Sequence, residues 1–248
     1  MNLRNKNVLI TGGAKRIGRE IALTLAQRGA HILIHYNRSR REAETLQKEI
    51  VGKGGKALLF QMDFSKLKNL PAEIKKFTAK VYRKAGRVDV LVNNASIFYP
   101  TPLEKISEKD WDNFLTVNLK SPFFLSKEIG LQMFKRKSGK IINLIDWTAE
   151  RPQADYLPYC ISKAGLLAAT RGLAKTLAPH VQVTGIGPGP ILPPEFLSGK
   201  KLKAKAEKTL LKRFGNPRDI AQTVKYLAEG TDFVTGVFLP VDGGASLV

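Results

Sequence analysis

The chain has 248 residues, of which 43% are hydrophobic and 25% charged, a composition that fits a globular protein with one sizeable core. A single cysteine, Cys160, excludes an internal disulfide framework, and no apolar run comes near the roughly 18 residues of a membrane span. The first residues have the pattern of a strand and its turn, not of a leader peptide. We therefore expect a cytoplasmic protein with no membrane partner.

The net charge of +20 is the unusual feature of the composition. It has three open explanations, namely attraction to polyanions, attraction of small anionic ligands, and a lysine-rich background without function. The basic residues are spread over several segments and are not interleaved with aromatic residues as in a nucleic-acid platform. We expect no nucleic-acid partner.

Short apolar runs alternate with longer windows of helical periodicity along the whole chain. The runs are NVLITG, HILIHY, ALLFQM, VDVLVNN, KIINLID, VQVTGIG and GVFLPVD, and helical windows include 17–28, 41–52, 72–84 and 111–134. Two helix starts have capping signals, Ser107 with Asp110 and Asn216 followed by Pro217. Strands without polar alternation are typical of a parallel sheet covered on both faces. The pattern predicts one doubly wound Rossmann-type α/β domain over residues 1–248.

A glycine-rich turn follows the first strand, in TGGAKRIGREIA. Gly12 and Gly18 allow a tight turn and a close backbone approach, and the helix that follows offers its N-terminus to a pyrophosphate. The second strand ends in Asn37, Arg38 and Ser39, without the acid that usually holds the ribose diol of NAD. A guanidinium and a hydroxyl suit a 2′-phosphate, so this segment indicates NADPH. Solvated residues at a helix start are the alternative.

Tyr159 and Lys163 are four residues apart on the helix after the fifth strand and share one face of that helix. We expect the nearby ammonium to lower the proton affinity of the tyrosine and to prepare it as a general acid. Tyr156 has Cys160 at the matching position and no such partner. A surface pair is the alternative for Tyr159 and Lys163, and Cys160 itself fits a small core residue better than a nucleophile.

The sequence resembles the short-chain dehydrogenase/reductase family over essentially its whole length. The resemblance rests on TGGAKRIG, NNAS at 93–96, Asn118 in TVNLKSP, the tyrosine–lysine pair, GPGP at 187–190 and VTGVFLPVDGG. It implies a sheet of order 3-2-1-4-5-6-7 and a homotetramer. It also implies that Tyr159 donates a proton, that Lys163 bonds the nicotinamide ribose, and that Asn118 holds a water in a proton relay.

The expected cofactor site combines the glycine turn with family positions at the strand ends. Asp63 would bond the adenine, and Asn93 and Ala95 would line the adenosine side. The complete set is Gly12, Lys15, Arg16, Ile17, Gly18, Tyr36, Asn37, Arg38, Ser39, Asp63, Asn93, Ala95, Ser96, Tyr159, Lys163, Pro188, Gly189 and Ile191.

Two departures narrow the resemblance to the pteridine reductases and dihydromonapterin reductases. Arg16 stands where most members of the family have glycine, and Asp146 stands where they have a serine, thirteen residues before the tyrosine. A pterin C=N needs a proton on nitrogen, which a carboxyl group paired with Tyr159 can relay. The expected substrate residues are Arg16, Ser96, Phe98, Asp146, Trp147 and Tyr159. Phe98 would stack on the pterin.

Each of these residues also has a simpler explanation. Asp146 could cap the following turn, Phe98 could anchor its loop, Arg16 could bind the phosphates alone, and Trp147 could be a buried core residue. The leading hypothesis is an NADPH-dependent reductase of dihydrobiopterin, dihydromonapterin or dihydrofolate. A carbonyl reductase of the 3-oxoacyl thioester type is the alternative, and a non-enzymatic protein that binds NADPH or a polyanion represents a different class.

The segment 190–212 is rich in Pro, Gly and Lys and is predicted to bind substrate beyond the sixth strand. Lys200, Lys201 and Lys203 could contact an anionic tail such as the glutamate of a folate, although a solvated basic face explains them too. No residues have metal-ligand spacing, so we expect no metal.

Overall fold

A seven-stranded parallel sheet lies at the centre of the computed structural model, which describes residues 1–66, 69–192 and 206–248. The strand order β3-β2-β1-β4-β5-β6-β7 confirms the predicted Rossmann-type α/β fold. The strands are β1 (Asn7–Ile10), β2 (His31–Tyr36), β3 (Lys56–Gln61), β4 (Val90–Asn93), β5 (Gly139–Leu144), β6 (Val181–Pro188) and β7 (Phe238–Val241).

Helices cover both faces of the sheet. They are α1 (Arg16–Ala26), α2 (Arg40–Gly52), α3 (Leu70–Ala85), α4 (Glu108–Leu115), α5 (Ser121–Lys135), α6 (Leu157–Leu177) and α7 (Pro217–Lys225). Val8 and Ile10 of β1 pack with α1, α2 and α7, whereas Leu9 packs with α3, α5 and α6 on the other face. All three residues are fully buried, which explains why β1 has no polar alternation.

The predicted helical window 111–134 is divided by a π turn at Thr116–Lys120 between α4 and α5. Pro122 has no N–H to donate to residue 118, four residues back, and this lack favours a local change of helical register. The predicted capping box of Ser107 with Asp110 is present, and the predicted cap residue Asn216 also forms a capping box, with Asp219. Among the helices that the structure describes, none has both the length and the hydropathy of a membrane-spanning segment.

The parallel arrangement places the loops after β1, β2, β4, β5 and β6 at one edge of the sheet, the edge formed by the carboxyl ends of the strands. Open α/β sheets bind ligands at this edge. The candidate site lies there.

Candidate active site

A cavity of ≈ 780 Å³ extends along the carboxyl edge of the sheet, a size suited to a cofactor and part of a substrate. Most of the predicted site residues line this cavity, while their individual roles stay predictions. The lining includes Gly12, Lys15, Arg16, Ile17, Gly18, Tyr36, Asn37, Arg38, Ser39, Asp63, Ala95, Ser96, Phe98, Asp146, Trp147, Tyr159, Lys163, Pro188, Gly189 and Ile191.

Asn93 does not line the cavity as expected. Asn93 is the last residue of β4, and its side-chain amide donates to Asn143 Oδ1 at 2.8 Å and to Ser126 Oγ at 3.0 Å inside the helix layer. The next residue, Asn94, lines the cavity instead, and its Nδ2 donates to the carbonyls of Thr11 and Gly12. Alternation at the strand end therefore assigns the cavity position to Asn94.

Asn118 is also buried outside the cavity lining. Its Oδ1 accepts from Ile97 N at 2.9 Å and from Ser96 Oγ at 3.1 Å, and its Nδ2 donates to Ile97 O and to Ser162 Oγ. The side chain thus connects the loop after β4 to α6. Its expected role of holding a relay water would therefore fall to the backbone carbonyl, which has no α-helical donor because residue 122 is proline.

The glycine turn after β1 has the features of a dinucleotide phosphate site. Gly12 has a φ of +60°, and a Cβ on Gly18 would lie 2.7 Å from Asn94 Nδ2 and 3.0 Å from the Cα of Gly13. The following helix, α1, begins without a side-chain cap on its first-turn amides. Uncapped amides at a helix N-terminus bind anions, so the turn fits the pyrophosphate of a dinucleotide.

Arg16 adopts the left-handed conformation, with a φ of +51°. This backbone suits a glycine, and an arginine there costs about 1–2 kcal/mol. Within the described ranges, no carboxylate lies within ion-pair distance of its guanidinium, whereas Lys15 pairs with Glu42 at 2.5 Å. The Arg16 side chain therefore has a free charge beside the phosphate turn.

The end of β2 presents Arg38 and Ser39 to the cavity. Ser39 is the N-cap residue of α2, but its side chain makes no cap hydrogen bond, so its hydroxyl remains available. The arrangement fits the predicted recognition of a 2′-phosphate.

Three polar side chains meet in the cavity lining, of which Tyr159 and Lys163 are buried and Asp146 is half-buried. The Tyr159 hydroxyl donates to Asp146 Oδ2 at 2.8 Å, and Lys163 Nζ donates to the carbonyl of Leu144 at 2.9 Å. Asp146 Oδ1 accepts from the Thr148 amide at 2.9 Å and from the Thr148 hydroxyl at 2.7 Å. Asp146 thus caps the turn, as its simpler explanation expects, and also contacts the tyrosine, while its catalytic role stays a prediction.

Burial controls the protonation of this group. Burial raises the pKa of Asp146, and burial together with the hydrogen bond to the Asp146 carboxyl group raises the pKa of Tyr159. Burial also lowers the pKa of Lys163 to about 8. The expectation that Lys163 lowers the proton affinity of Tyr159 is wrong, because the ammonium bonds a carbonyl and lies 5.6 Å from the phenol ring centre, while Asp146 contacts the hydroxyl directly.

An aromatic cluster forms the outer end of the cavity. Phe98 is 50% exposed and stacks on Tyr156, with ring centres 4.7 Å apart and planes at 5°. Its edge contacts Tyr159 at a ring-centre distance of 4.8 Å. Helical spacing gives Tyr156 no lysine partner and so predicts no catalytic role for it, but this tyrosine supports Phe98 through the stack. Spacing on α6 alone contained no signal for a contact with the loop after β4.

Several lining residues were not predicted from the sequence, among them His35, Phe64 and Phe214. His35 had a usable signal, because it is a polar residue inside the otherwise apolar run HILIHY. Of the predicted substrate segment 190–212, residues 193–205, including Lys200, Lys201 and Lys203, lie outside the described residues. The described part of the chain contains no cluster of metal-ligating side chains.

Comparison with known proteins places this site in a family. The model for short chain dehydrogenases matches residues 6–201. The 3-oxoacyl-(acyl-carrier-protein) reductase FabG of Staphylococcus epidermidis is 35% identical over 244 residues, which cover 97% of this chain and 98% of that protein.

Two solved structures are similar over nearly their whole length. A blue fluorescent protein from a metagenomic library, in complex with NADPH, is 33% identical with a TM-score of 0.89, and the match covers 99% of both chains. The FolM alternative dihydrofolate reductase 1 from Brucella canis, complexed with NADP, is 32% identical with a TM-score of 0.91, and covers 100% of this chain and 96% of that one.

These comparisons correct the expected substrate. The curated relatives are described as 3-oxoacyl-(acyl-carrier-protein) reductases, so the hypothesis of pterin reduction is wrong and the thioester alternative is favoured. The similarity to FolM is a likeness of structure, and the pteridine reductase subgroup is not confirmed. The matched model and the identity over 97% of the chain establish that this protein is an oxidoreductase of the short-chain dehydrogenase family.

Proposed function

We propose that this protein reduces the 3-oxo group of an acyl thioester to a hydroxyl group. The observation that carries the proposal is the 35% identity, over 97% of the chain, to a reductase of that description. The group of Asp146, Tyr159 and Lys163 in the cavity lining supports it, because a ketone needs a proton donor and the hydroxyl of the buried Tyr159 can serve as one.

The cofactor is NADPH. The glycine turn and the uncapped start of α1 fit its pyrophosphate, and Arg38 with Ser39 fits its 2′-phosphate. When bound, NADPH supplies the hydride that reduces the carbonyl carbon. The single domain over residues 1–248 provides both the cofactor walls and the catalytic group.

The proton for the substrate oxygen comes from Tyr159 and Asp146. Their hydrogen bond of 2.8 Å allows a proton given up by the phenol to be replaced from the carboxyl group. The raised pKa of Asp146 favours its neutral form, which can also donate a hydrogen bond to the carbonyl, as a serine hydroxyl would. An ionised Asp146 would instead repel the negative charge that develops on that oxygen.

A spectrophotometric assay of NADPH oxidation tests the proposal. Acetoacetyl-CoA should be reduced, acetoacetate should be a poorer substrate, and dihydrobiopterin should not be turned over. Turnover of dihydrobiopterin without turnover of the thioester would overturn the proposed function.

The pH profile tests the role of Asp146. The raised pKa means that the Asp146 proton is lost as the pH rises through that value, so wild-type kcat/KM should fall over that range. Asp146→Ser should keep kcat/KM within about tenfold of wild type and lose this fall, because a serine hydroxyl does not titrate there. Lys163, with its pKa of about 8, should still limit both proteins above pH 8.

The control for this profile is Asp155→Ser in the exposed part of the same loop, which should leave the fall unchanged. Identical profiles for wild type and Asp146→Ser would contradict the assignment to Asp146.

The homotetramer predicted from the family resemblance remains part of this proposal. Phe123 and Leu131 on α5 are 37% and 44% exposed, and such apolar side chains on a helix face support self-association through that helix. Size-exclusion chromatography with light scattering tests it, and a monomer at micromolar concentration would reject it.

A further inference from the structure

His35 connects β2 to the glycine turn by two hydrogen bonds. Its Nδ1 accepts from the amide of Gly12 at 3.1 Å, and its backbone carbonyl accepts from the amide of Gly13 at 3.0 Å. The side chain is 2% exposed and still contributes to the cavity lining. The two amides of the turn therefore point to His35, which leaves the first-turn amides of α1 as the donors available to a phosphate.

The other side of the imidazole contacts the wall formed by the end of β3. Because Nδ1 is an acceptor, the proton lies on Nε2, which donates to the carbonyl of Met62 at 3.0 Å. The ring stacks on Phe64 with a ring-centre distance of 4.5 Å and meets the edge of Phe77. Burial lowers the pKa of His35 to about 4, which keeps the imidazole neutral and preserves the acceptor.

We propose that His35 is a positioning residue of the cofactor site, which sets NADPH affinity by holding the amide of Gly12. Met62 and Phe64 lie on either side of Asp63, so one imidazole fixes two walls of the cavity relative to each other. The hydrogen bond to Gly12 holds the phosphate turn, and the hydrogen bond to Met62 holds the expected adenine wall. This inference rests on the proposed NADPH-dependent function.

Three substitutions of His35 test the hydrogen bonds of its two ring nitrogens separately. In His35→Asn, the amide oxygen reaches the position of Nδ1 and can accept from Gly12. In His35→Gln, the amide nitrogen reaches the position of Nε2 and can donate to Met62, but the Gly12 acceptor is lost. His35→Phe keeps an aromatic ring for Phe64 and loses both hydrogen bonds.

The measurement is the Kd of NADPH by fluorescence titration, together with thermal unfolding of each variant without cofactor. We expect His35→Asn to bind within about threefold of wild type, and His35→Gln and His35→Phe to bind about tenfold more weakly, a loss typical of one hydrogen bond. At saturating NADPH, kcat of His35→Gln should match wild type while KM for NADPH rises. His31→Gln, at the other end of β2, should keep the wild-type Kd.

A wild-type Kd for His35→Gln, or equal weakening in all three variants in proportion to lost thermal stability, would overturn the inference. Wild-type protein that binds NADPH without reducing a thioester would defeat the proposed function and leave this inference standing, because the binding measurement needs no turnover.

Discussion

The cofactor half and the substrate half of the cavity are built from different kinds of groups. The cofactor half consists mainly of two short continuous segments after β1 and at the end of β2, Gly12 to Gly18 and Tyr36 to Ser39. The substrate half depends on side chains that come from separate loops, with Asp146 after β5 against Tyr159 on α6 and Phe98 after β4 against Tyr156. A binding site made of continuous segments is specified by local sequence, whereas a site made of side-chain pairs from separate loops is specified by tertiary contacts.

The largest expected effect is a loss of kcat without a loss of NADPH affinity, which distinguishes the substrate half from the cofactor half. Tyr159→Phe removes the hydroxyl that bonds Asp146 and should lower kcat by about 10²–10⁴-fold, the usual contribution of a general acid. The Kd of NADPH should change by less than about threefold, because one hydroxyl group is lost while the glycine turn, Arg38 and Lys163 are kept. Stopped-flow turnover and fluorescence titration measure the two quantities.

Tyr156→Phe is the matched control for that substitution, since it keeps the stack on Phe98 and removes a hydroxyl at the same helix start. It should retain near-normal kcat. Equal losses in the two variants would mean that the substrate half does not depend on the Asp146–Tyr159 pair.

An intermediate effect concerns the outer part of the cofactor half. Arg38→Asp should raise KM for NADPH by about 10- to 100-fold, because a charged hydrogen bond to the 2′-phosphate is lost and a repulsion is added. KM for NADH, which lacks that phosphate, should change far less. Arg41→Asp makes the same charge change on the exposed side of α2 and should affect neither constant. Parallel increases for the two cofactors would refute the phosphate assignment.

The smallest effect concerns Arg16, at the start of α1 in the cofactor half. Arg16, with a φ of +51°, and Lys137, with a φ of +56°, are both non-glycine residues in the left-handed region, and each can be replaced by glycine. Relief of strain and the greater freedom of glycine in the unfolded chain oppose each other, so each variant should change stability by less than about 1 kcal/mol. Only Arg16→Gly should weaken NADPH binding, by several fold. Chemical denaturation and titration test this, and unchanged NADPH affinity in Arg16→Gly would make its charge irrelevant to the cofactor.

The fold was predictable because burial of β1, β4 and β5 on both faces leaves a direct mark of continuous apolar residues. The position of Asp146 beside Tyr159 was predictable from family spacing, but the substrate was not, because a neutral carboxyl group can serve a ketone as well as a C=N. The sequence predicted Asn93 in the cavity lining, where the structure has Asn94, because the choice depends on where β4 ends. Strand ends are the least certain feature of a sequence pattern. The direction of the pKa shift of Tyr159 could not be predicted from the sequence, because it depends on which atom Lys163 bonds, and that is set by tertiary structure.

The π turn at Thr116–Lys120 limits how the helical segment from α4 to α5 can change in length. A π turn is an α-helix that carries one extra residue, and removal of that residue would rotate everything beyond it by about 100°. Either Asn118 would leave its bonds to Ile97 and Ser162, or the buried face of α5, with Leu125, Ile129 and Met133, would turn out of the core. Single-residue deletions should therefore be purged from this segment in evolution, even though insertions are usually tolerated in the loops around it.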